Sequence, residues 1–182
     1  LESSDQARAF EITEQKYVRT PLRAFCNGEV QYGRLDSGVG YLRVKSFSNF
    51  GSQPGYESGS AALEEALDSI FADASSWPGL VIDVRINDGG SDAWGLAIAS
   101  RLTASPYVAY SKQARLDPQD LTRWTDAQPS EVRPAARPSF HGPVVALTGI
   151  HSVSAAETFT QALLKRVPKV TRVGENTQGV FS

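Results

Sequence analysis

The residues from 142 to 157 restrict the possible folds most, because they combine a buried strand with the start of a helix. An apolar run at 143–147 (PVVAL) is followed by a short loop and then by Ser154-Ala155-Ala156-Glu157, which opens a helix. A serine at such a junction has its hydroxyl at the sheet edge, near N–H groups that no helical carbonyl can satisfy. Ser154 is therefore a candidate nucleophile. The same Ser-x-x-Glu pattern is also the signature of a capping box, which needs no chemistry.

A second junction of the same kind lies earlier in the chain. Residues 80–84 (LVIDV) are almost wholly apolar, as expected for a strand covered on both faces. The turn at 85–90 (RINDGG) then leads into an amphipathic helix from about 92 to 102. In an open α/β sheet, ligands bind at the edge where the carboxyl ends of the strands meet helix N-termini. We therefore expect the turn at 85–90 and Ser154 to face one site.

The other predicted elements alternate strands with helices. They are a weak helix or strand signal at 5–17, β-like runs at 30–32 and 39–44 around a hairpin turn at 36–38, a loop at 48–59, a helix at 60–71, a strand at 107–110, a surface excursion at 113–141, a helix from 154 to about 165, and a strand at 170–173. This alternation predicts the α/β class, with ββα units around a mainly parallel sheet that helices flank. We expect a lead-in segment at 1–27 and a core domain at 28–182, with parts missing at both ends.

Composition and charge exclude several classes of function. Of the 182 residues, 41% are hydrophobic and 21% are charged, which is typical of a globular domain. No apolar run reaches the ~18 residues that a membrane-spanning helix needs. The formal net charge of -2 gives no general attraction to nucleic acid. The single Cys26 excludes an internal disulfide, is expected to be a buried or half-buried hydrophobe, and forms no zinc-binding pattern. We expect no nucleic-acid partner, no metal and no cofactor.

The glycine pair at 89 and 90 suits the oxyanion-binding part of a hydrolytic site. A serine hydrolase needs a nucleophile, a base that removes its proton, and N–H donors for the oxyanion of the tetrahedral intermediate. Because glycine allows close approach of the backbone, Gly89 or Gly90 could supply one donor, and Ala155, directly after Ser154, the other. A tight strand-to-helix turn explains the glycine pair equally well without any chemistry.

Three segments together resemble the tail-specific, or carboxyl-terminal processing, serine peptidases. Residues 80–90 resemble their Asp-Leu-Arg-x-Asn-x-Gly-Gly segment, 154–157 their Ser-Ala-x-Glu nucleophile segment, and 174–179 their Gly-Glu-x-Thr-x-Gly turn. The segments occur in the family's order, over roughly residues 40–182. The resemblance implies a ClpP/crotonase-like core and a polypeptide substrate. It also implies the site roles: Ser154 as nucleophile, Gly89 or Gly90 with Ala155 at the oxyanion hole, and Glu157 as a supporting acid.

The general base is where the sequence departs from this family. In the processing branch a lysine follows the Gly-Glu-x-Thr-x-Gly turn and acts as base, whereas this chain has Val180. Lys165 lies eleven residues along the helix from Ser154, about 16 Å at 1.5 Å per residue. His151, three residues before Ser154 on its loop, could reach it as a base, but loop histidines so close in sequence rarely have the right geometry. His141 is expected to be solvated or to cap its strand. The lysine-free branch includes tricorn-like peptidases and interphotoreceptor retinoid-binding protein. Its peptidases take the base from an upstream Asp-x-His segment that this chain does not contain.

The sequence leaves two main functions open. The first is the core of a serine endopeptidase that resembles the lysine-free branch, with Ser154 forming an acyl-enzyme and the base supplied from outside these residues. The second is a non-catalytic module on the same fold that binds an apolar ligand or a peptide. A third option, an acyl-CoA-type enzyme on the shared core, has no adenine- or phosphate-binding motif in its favour. We expect an exported protein, although one cysteine fits a cytoplasmic location as well, and a homo-oligomer is left open.

Overall fold

The computed structural model describes residues 4–18 and 20–180. These residues form ten β-strands and four α-helices. In chain order they are α1 (Ser4–Tyr17), β1 (Arg23–Phe25), β2 (Val30–Arg34), β3 (Gly40–Val44), α2 (Tyr56–Phe71), β4 (Leu80–Asp83), β5 (Ile86–Asn87), α3 (Asp92–Ser100), β6 (Tyr107–Lys112), β7 (Gln128–Val132), β8 (Val144–Thr148), β9 (His151–Ser152), α4 (Ala155–Leu164) and β10 (Thr171–Gly174).

Six of these strands form the main sheet, in the order β1-β2-β3-β4-β8-β10. Strands β1, β2 and β3 are antiparallel neighbours, whereas β3, β4, β8 and β10 run parallel to one another. The mainly parallel sheet with its flanking helices confirms the predicted α/β class. The antiparallel pairing of β2 with β3 likewise confirms the predicted hairpin turn at 36–38.

Strands β4 and β8 lie side by side inside the sheet, each with a strand on either side. Ile82 of β4 and Ala146 of β8 are fully buried on one face, and the apolar residues on the other face are partly buried. This burial fits the nearly unbroken apolar sequence of both strands. Asp83 lies opposite Leu147 in the register, so the two strands end at the same level. The loops that follow them therefore start at the same end of the sheet, where the carboxyl ends of its parallel strands lie.

Helix α2 begins earlier than the sequence predicts. The predicted loop at 48–59 ends at Gly55, because Tyr56 to Gly59 already belong to the helix. Gly59 packs against α3, where a Cβ atom at position 59 would overlap the Trp94 ring. A helical start that contains Gly and Ser carries little apolar periodicity, and packing against α3 overrides these weak propensities.

Strand β7 is missing from the sequence prediction, which treats 113–141 as a surface excursion. Residues 128–132 pair antiparallel with β6, and Val132 and Phe140 are buried in the core. Each of these apolar residues stands alone among polar ones, so no period-2 pattern marks the strand. The pairing with β6 defines it instead.

The segment at 5–17, where the sequence gives a weak helix or strand signal, is helical and belongs to α1. Phe10 is buried, and the Arg43 guanidinium lies 4.1 Å from the centre of its ring. Arg43 also forms an ion pair with Glu14 at 2.7 Å, which fastens α1 to β3.

Cys26 is buried, as predicted, and burial raises the pKa of its thiol to about 12. Among the described helices, none is long and apolar enough to cross a membrane.

Candidate active site

The loops that follow β4 and β8 are fastened to each other. Strands β5 and β9 form a short parallel pair in which Asn87 lies opposite Ser152. The Val153 N–H donates to the Asn87 carbonyl at 3.0 Å, and the Ser152 hydroxyl donates to the Val84 carbonyl at 2.6 Å. The two turns that the sequence places at one sheet edge therefore form one structural unit.

A buried carboxylate shapes the start of the first loop. Asp83, the last residue of β4, is 1% exposed. It accepts hydrogen bonds from Arg85 Nη2 at 2.6 Å and from the Tyr41 hydroxyl at 2.5 Å. Burial raises the pKa of Asp83, but the hydrogen bonds and charge of Arg85 outweigh burial and hold that pKa below its usual range. This ion pair lies where the chain leaves β4, directly before β5 begins at Ile86.

Gly89 and Ser154 are in direct contact. Gly89 has a φ of +80°, and a Cβ atom at its position would lie 2.8 Å from the Ser154 Cβ. Gly90 has a φ of +131°, and a Cβ atom there would overlap the Phe47 carbonyl oxygen. Glycine alone fits both positions without strain. The structure thus brings together Ser154, the following Ala155 and the glycine pair.

The N–H groups around Ser154 differ in their hydrogen bonds. The Gly89 N–H donates to Asn87 Oδ1 at 2.9 Å and is therefore used inside the turn. In the part of the chain that the structure describes, the N–H groups of Gly90 and Ala155 have no hydrogen-bond partner. Of the two glycines that the sequence leaves open, Gly90 is the one with an available donor.

Asn87 organises this turn, although the sequence alone does not mark it as a site residue. Its side chain is fully buried, and its Nδ2 donates to the Val44 carbonyl at 2.8 Å while its Oδ1 accepts from Gly89. The Gly89 carbonyl in turn accepts from the Phe47 N–H at 2.7 Å. One available signal is the spacing of Asn87 and Gly89, since Asn side chains often accept from the N–H two residues on.

Ser154 has an unusual backbone conformation for a helix cap. Its φ of +52° and ψ of -114° lie where residues other than glycine are rarely found, at a cost on the order of 1–3 kcal/mol. Ser154 and Glu157 stand in the capping-box relation, and the Glu157 carboxylate accepts from the Ser154 N–H at 3.0 Å. The Ser154 side chain is half-buried. An ordinary N-cap residue adopts a β-region backbone, so capping alone does not explain this conformation.

Glu157 joins α4 to the segment that follows β10. Its carboxylate is nearly buried and accepts from the N–H groups of Gly179 at 2.6 Å and Val180 at 2.9 Å, as well as from Ser154 and the Thr177 side chain. Burial raises the pKa of Glu157, but these hydrogen bonds together outweigh burial and keep the pKa below its ordinary value. Glu157 is therefore an ionised acceptor that holds two chain segments beside Ser154.

The described residues offer Ser154 no hydrogen-bonded base. Position 180, where the resemblance places a lysine, lies against Glu157 but carries an exposed valine. His151 is exposed, and within residues 4–18 and 20–180 neither it nor any lysine is hydrogen-bonded to Ser154. His141 lies before β8, at the opposite edge of the sheet, with its Nε2 3.2 Å from the Ser139 hydroxyl. Likewise, the described residues contain no group of three or more His, Cys, Asp or Glu side chains that could hold a metal ion.

Known proteins share both the sequence pattern and the fold. The model of peptidase family S41 matches residues 38–182. Among solved structures, a candidate peptidase from Parabacteroides merdae ATCC 43184 is 30% identical with a TM-score of 0.76, over 94% of this chain and 50% of that chain. Mature CPAF, solved in complex with lactacystin, is 17% identical with a TM-score of 0.66, over 98% of this chain and 47% of that one.

A third structure is more distant in its fold. The photosystem II D1 C-terminal processing protease is 24% identical with a TM-score of 0.52, over 78% of this chain and 31% of that one. The chain thus spans half or less of the length of these three structures. No curated protein is similar enough to count as a match.

Proposed function

Because the chain belongs to peptidase family S41, we propose that it is the core of a serine endopeptidase in which Ser154 is the nucleophile. The observation that carries this proposal is the contact between Gly89 and Ser154, next to two residues, Gly90 and Ala155, whose N–H groups have no partner among the described residues. A nucleophilic hydroxyl and N–H donors for the developing oxyanion are the groups that acyl transfer requires.

In the proposed reaction, Ser154 Oγ bonds to the carbonyl carbon of a peptide and its proton passes to a base. The carbonyl oxygen becomes an oxyanion, which the N–H groups of Gly90 and Ala155 stabilise. The C–N bond then breaks and the base protonates the departing amine, which leaves an acyl-enzyme that water hydrolyses. Glu157 does not take part in proton transfer, because its hydrogen bonds favour the ionised form and occupy its oxygens. It positions Ser154 instead.

The base is proposed to come from outside the described residues. This follows from the valine at position 180 and from the lack of a His or Lys bonded to Ser154 in the ranges 4–18 and 20–180. The division into a lead-in segment at 1–27 and a core domain at 28–182 belongs to the same proposal, as do action near the carboxyl terminus of substrates and export from the cytoplasm.

The second candidate is a binding module that holds a peptide or an apolar ligand in the same cleft without cutting it. The observation that favours it is again position 180, where an exposed valine cannot accept a proton. Under this alternative, Ser154 and Glu157 serve only to start α4 and to anchor the segment after β10.

A fluorophosphonate probe separates the two candidates, because it reacts only with an activated serine. We expect the full-length protein to be labelled at Ser154 and to cleave unstructured peptides. Ser154→Ala should abolish labelling and lower turnover by roughly a thousandfold or more. Ser111→Ala, which changes an exposed serine on β6, is the matched control and should behave like the wild type. Equal labelling of the wild type and Ser154→Ala would exclude Ser154 as nucleophile, and a folded wild type that neither labels nor cleaves would favour the binding module.

A further inference from the structure

A cavity of about 320 Å³ opens directly beside Gly90. Its walls come from the segment between β3 and α2 and from the first turn of α3. Among the described residues, no Asp, Glu, Lys, Arg or His lines it; its main lining residues are Phe47, Phe50, Tyr56, Gly90, Ser91 and Trp94. Such a cavity disfavours a charged occupant, because a charge placed there would lose part of its hydration without gaining an ion-pair partner.

Three stacked aromatic rings form one wall of this aromatic cavity. The Trp94 ring centre lies 4.5 Å from that of Phe50 and 5.9 Å from that of Tyr56, with interplanar angles of 18° and 8°. The Trp94 indole N–H donates to the Ser60 hydroxyl at 2.9 Å, so its polar atom is already satisfied. The wall therefore offers apolar and π surface to an occupant, and aromatic stacking adds to the gain from burial.

The rim of the cavity is held in place before any ligand binds. Asn27 Nδ2 donates to the carbonyls of Asn49 and Gly51 at 2.8 Å each, and the Ser58 hydroxyl accepts from the Gln53 N–H at 3.3 Å. These bonds fix the loop between β3 and α2. A rim that is already ordered loses little entropy on binding.

Gly90 belongs both to this cavity and to the proposed oxyanion site. We propose that the aromatic cavity binds an uncharged apolar or aromatic side chain of the substrate, from the residue whose carbonyl Ser154 attacks. The proposal rests on the proposed peptidase function and adds the class of substrate. A volume of about 320 Å³ lies at the small end of the range for ligand pockets, which suits one side chain rather than a large cofactor.

Peptides that differ only in the residue before the cleaved bond test this inference in the full-length protein. We expect kcat/KM to be at least about tenfold higher for Phe or Leu at this position than for Glu or Lys. Tyr56→Glu puts a negative charge at the mouth of the cavity. It should lower kcat/KM for the Phe peptide about tenfold and raise it for the Lys peptide.

Tyr17→Glu is the matched control, because Tyr17 and Tyr56 are similarly exposed, at 58% and 57%, and Tyr17 does not line the cavity. It should leave the preference unchanged. Tyr56→Glu should also fold normally, since it places an acidic residue in the first turn of α2, where the helix dipole favours it. An active protein without a preference at this position, or with the same preference in Tyr56→Glu, overturns the cavity inference and leaves the role of Ser154 intact.

Binding to Ser154→Ala tests the cavity without any need for catalysis. Fluorescence titration with the Phe peptide should show saturable binding, at least about tenfold tighter than that of the Glu peptide, and Tyr56→Glu introduced into Ser154→Ala should remove this difference. Equal affinity for both peptides overturns the inference. If peptides bind with the expected preference but the wild type never cleaves them, the proposed catalysis fails and the cavity assignment stands.

Discussion

The two ends of strands β4 and β8 differ in whether the backbone polar groups there are hydrogen-bonded. At the carboxyl ends of β4 and β8, the N–H groups of Gly90 and Ala155 have no partner within the described residues and stand beside a strained serine. At the amino end of β8, the buried guanidinium of Arg166 binds several backbone carbonyls. It donates hydrogen bonds to the carbonyls of Leu102, Phe140, Gly142 and Pro168.

Under the proposed function, this contrast separates the end that carries stability from the end that carries ligand chemistry. A buried polar group without a partner costs about 1–3 kcal/mol, and the four carbonyls that Arg166 binds avoid this penalty. The carboxyl end keeps open donors and a serine backbone that costs on the order of 1–3 kcal/mol. Under the proposed function, a bound substrate accepts hydrogen bonds from these donors. The two ends should therefore respond differently to mutation.

The largest effect is expected at the amino end. Arg166→Met keeps an apolar chain of similar length but leaves four carbonyls unbound, and we expect the free energy of unfolding to fall by about 4 kcal/mol. Chemical denaturation of the full-length protein measures this change. The fluorophosphonate labelling rate of the fraction that stays folded should be unchanged, because Arg166 is not in contact with Ser154.

Arg133→Met is the matched control for this prediction. The Arg133 side chain is 73% exposed and its ion pair with Glu131 lies at the surface, so we expect a change below about 0.5 kcal/mol. A loss of less than about 1 kcal/mol in Arg166→Met would mean that water can reach the carbonyls, and the proposed contrast between the two ends would then be wrong.

The second effect is expected at the carboxyl end. Gly90→Ala combines backbone strain at a φ of +131° with overlap against the Phe47 carbonyl. We expect a loss of about 3 kcal/mol in stability, from strain and overpacking together. We also expect a fall in the labelling rate of Ser154 by at least about a hundredfold, because the N–H donor would move. Denaturation and probe kinetics on the same full-length protein measure the two quantities.

Gly38→Ala measures the effect of backbone strain alone, without movement of the Gly90 N–H. Gly38 has a φ of +81°, but a Cβ atom there would meet nothing within 4 Å, and the residue lies in the β2–β3 turn. We expect a loss of about 1 kcal/mol from strain alone and normal labelling. If Gly90→Ala labels as fast as Gly38→Ala, the Gly90 N–H is not part of the oxyanion site.

The sequence predicts the carboxyl end better than the amino end. Apolar runs at 80–84 and 143–147, each followed by a turn and a helix, are enough to place Gly89, Gly90 and Ser154 at one edge, because parallel strands end together. The contact between Gly89 and Ser154 follows from β5 and β9, which are two residues each and give no periodic signal. Arg166 gives none either, since its partners are backbone carbonyls from distant segments.

The sequence also does not determine which of the two glycines has an available N–H, nor which segments Glu157 joins. The sequence cannot show that Asn87 occupies the Gly89 N–H, because that depends on a side-chain rotamer. It does suggest a cap for Glu157, but the bonds from Gly179 and Val180 come from more than 20 residues away. The catalytic roles of Ser154, Gly90 and Ala155 stay predictions until the probe experiment is done.

The smallest of these effects links Glu157 to pH. Glu157→Gln keeps the shape of the side chain but removes its charge and brings an amide N–H towards groups that are themselves donors, so we expect a loss of about 2 kcal/mol at neutral pH. Because the folded-state pKa of Glu157 lies below its ordinary value of 4.5, its contribution is complete well above that value. It disappears as the pH falls through the folded-state pKa, when the wild type also becomes neutral at this position. The stability difference between wild type and Glu157→Gln should therefore be constant above about pH 6 and shrink below pH 4.5.

Glu131→Gln, in an exposed ion pair, should differ from the wild type by less than about 0.5 kcal/mol throughout. A difference for Glu157→Gln that stays constant down to pH 3 would show that packing, and not the ionised carboxylate, joins α4 to the segment after β10.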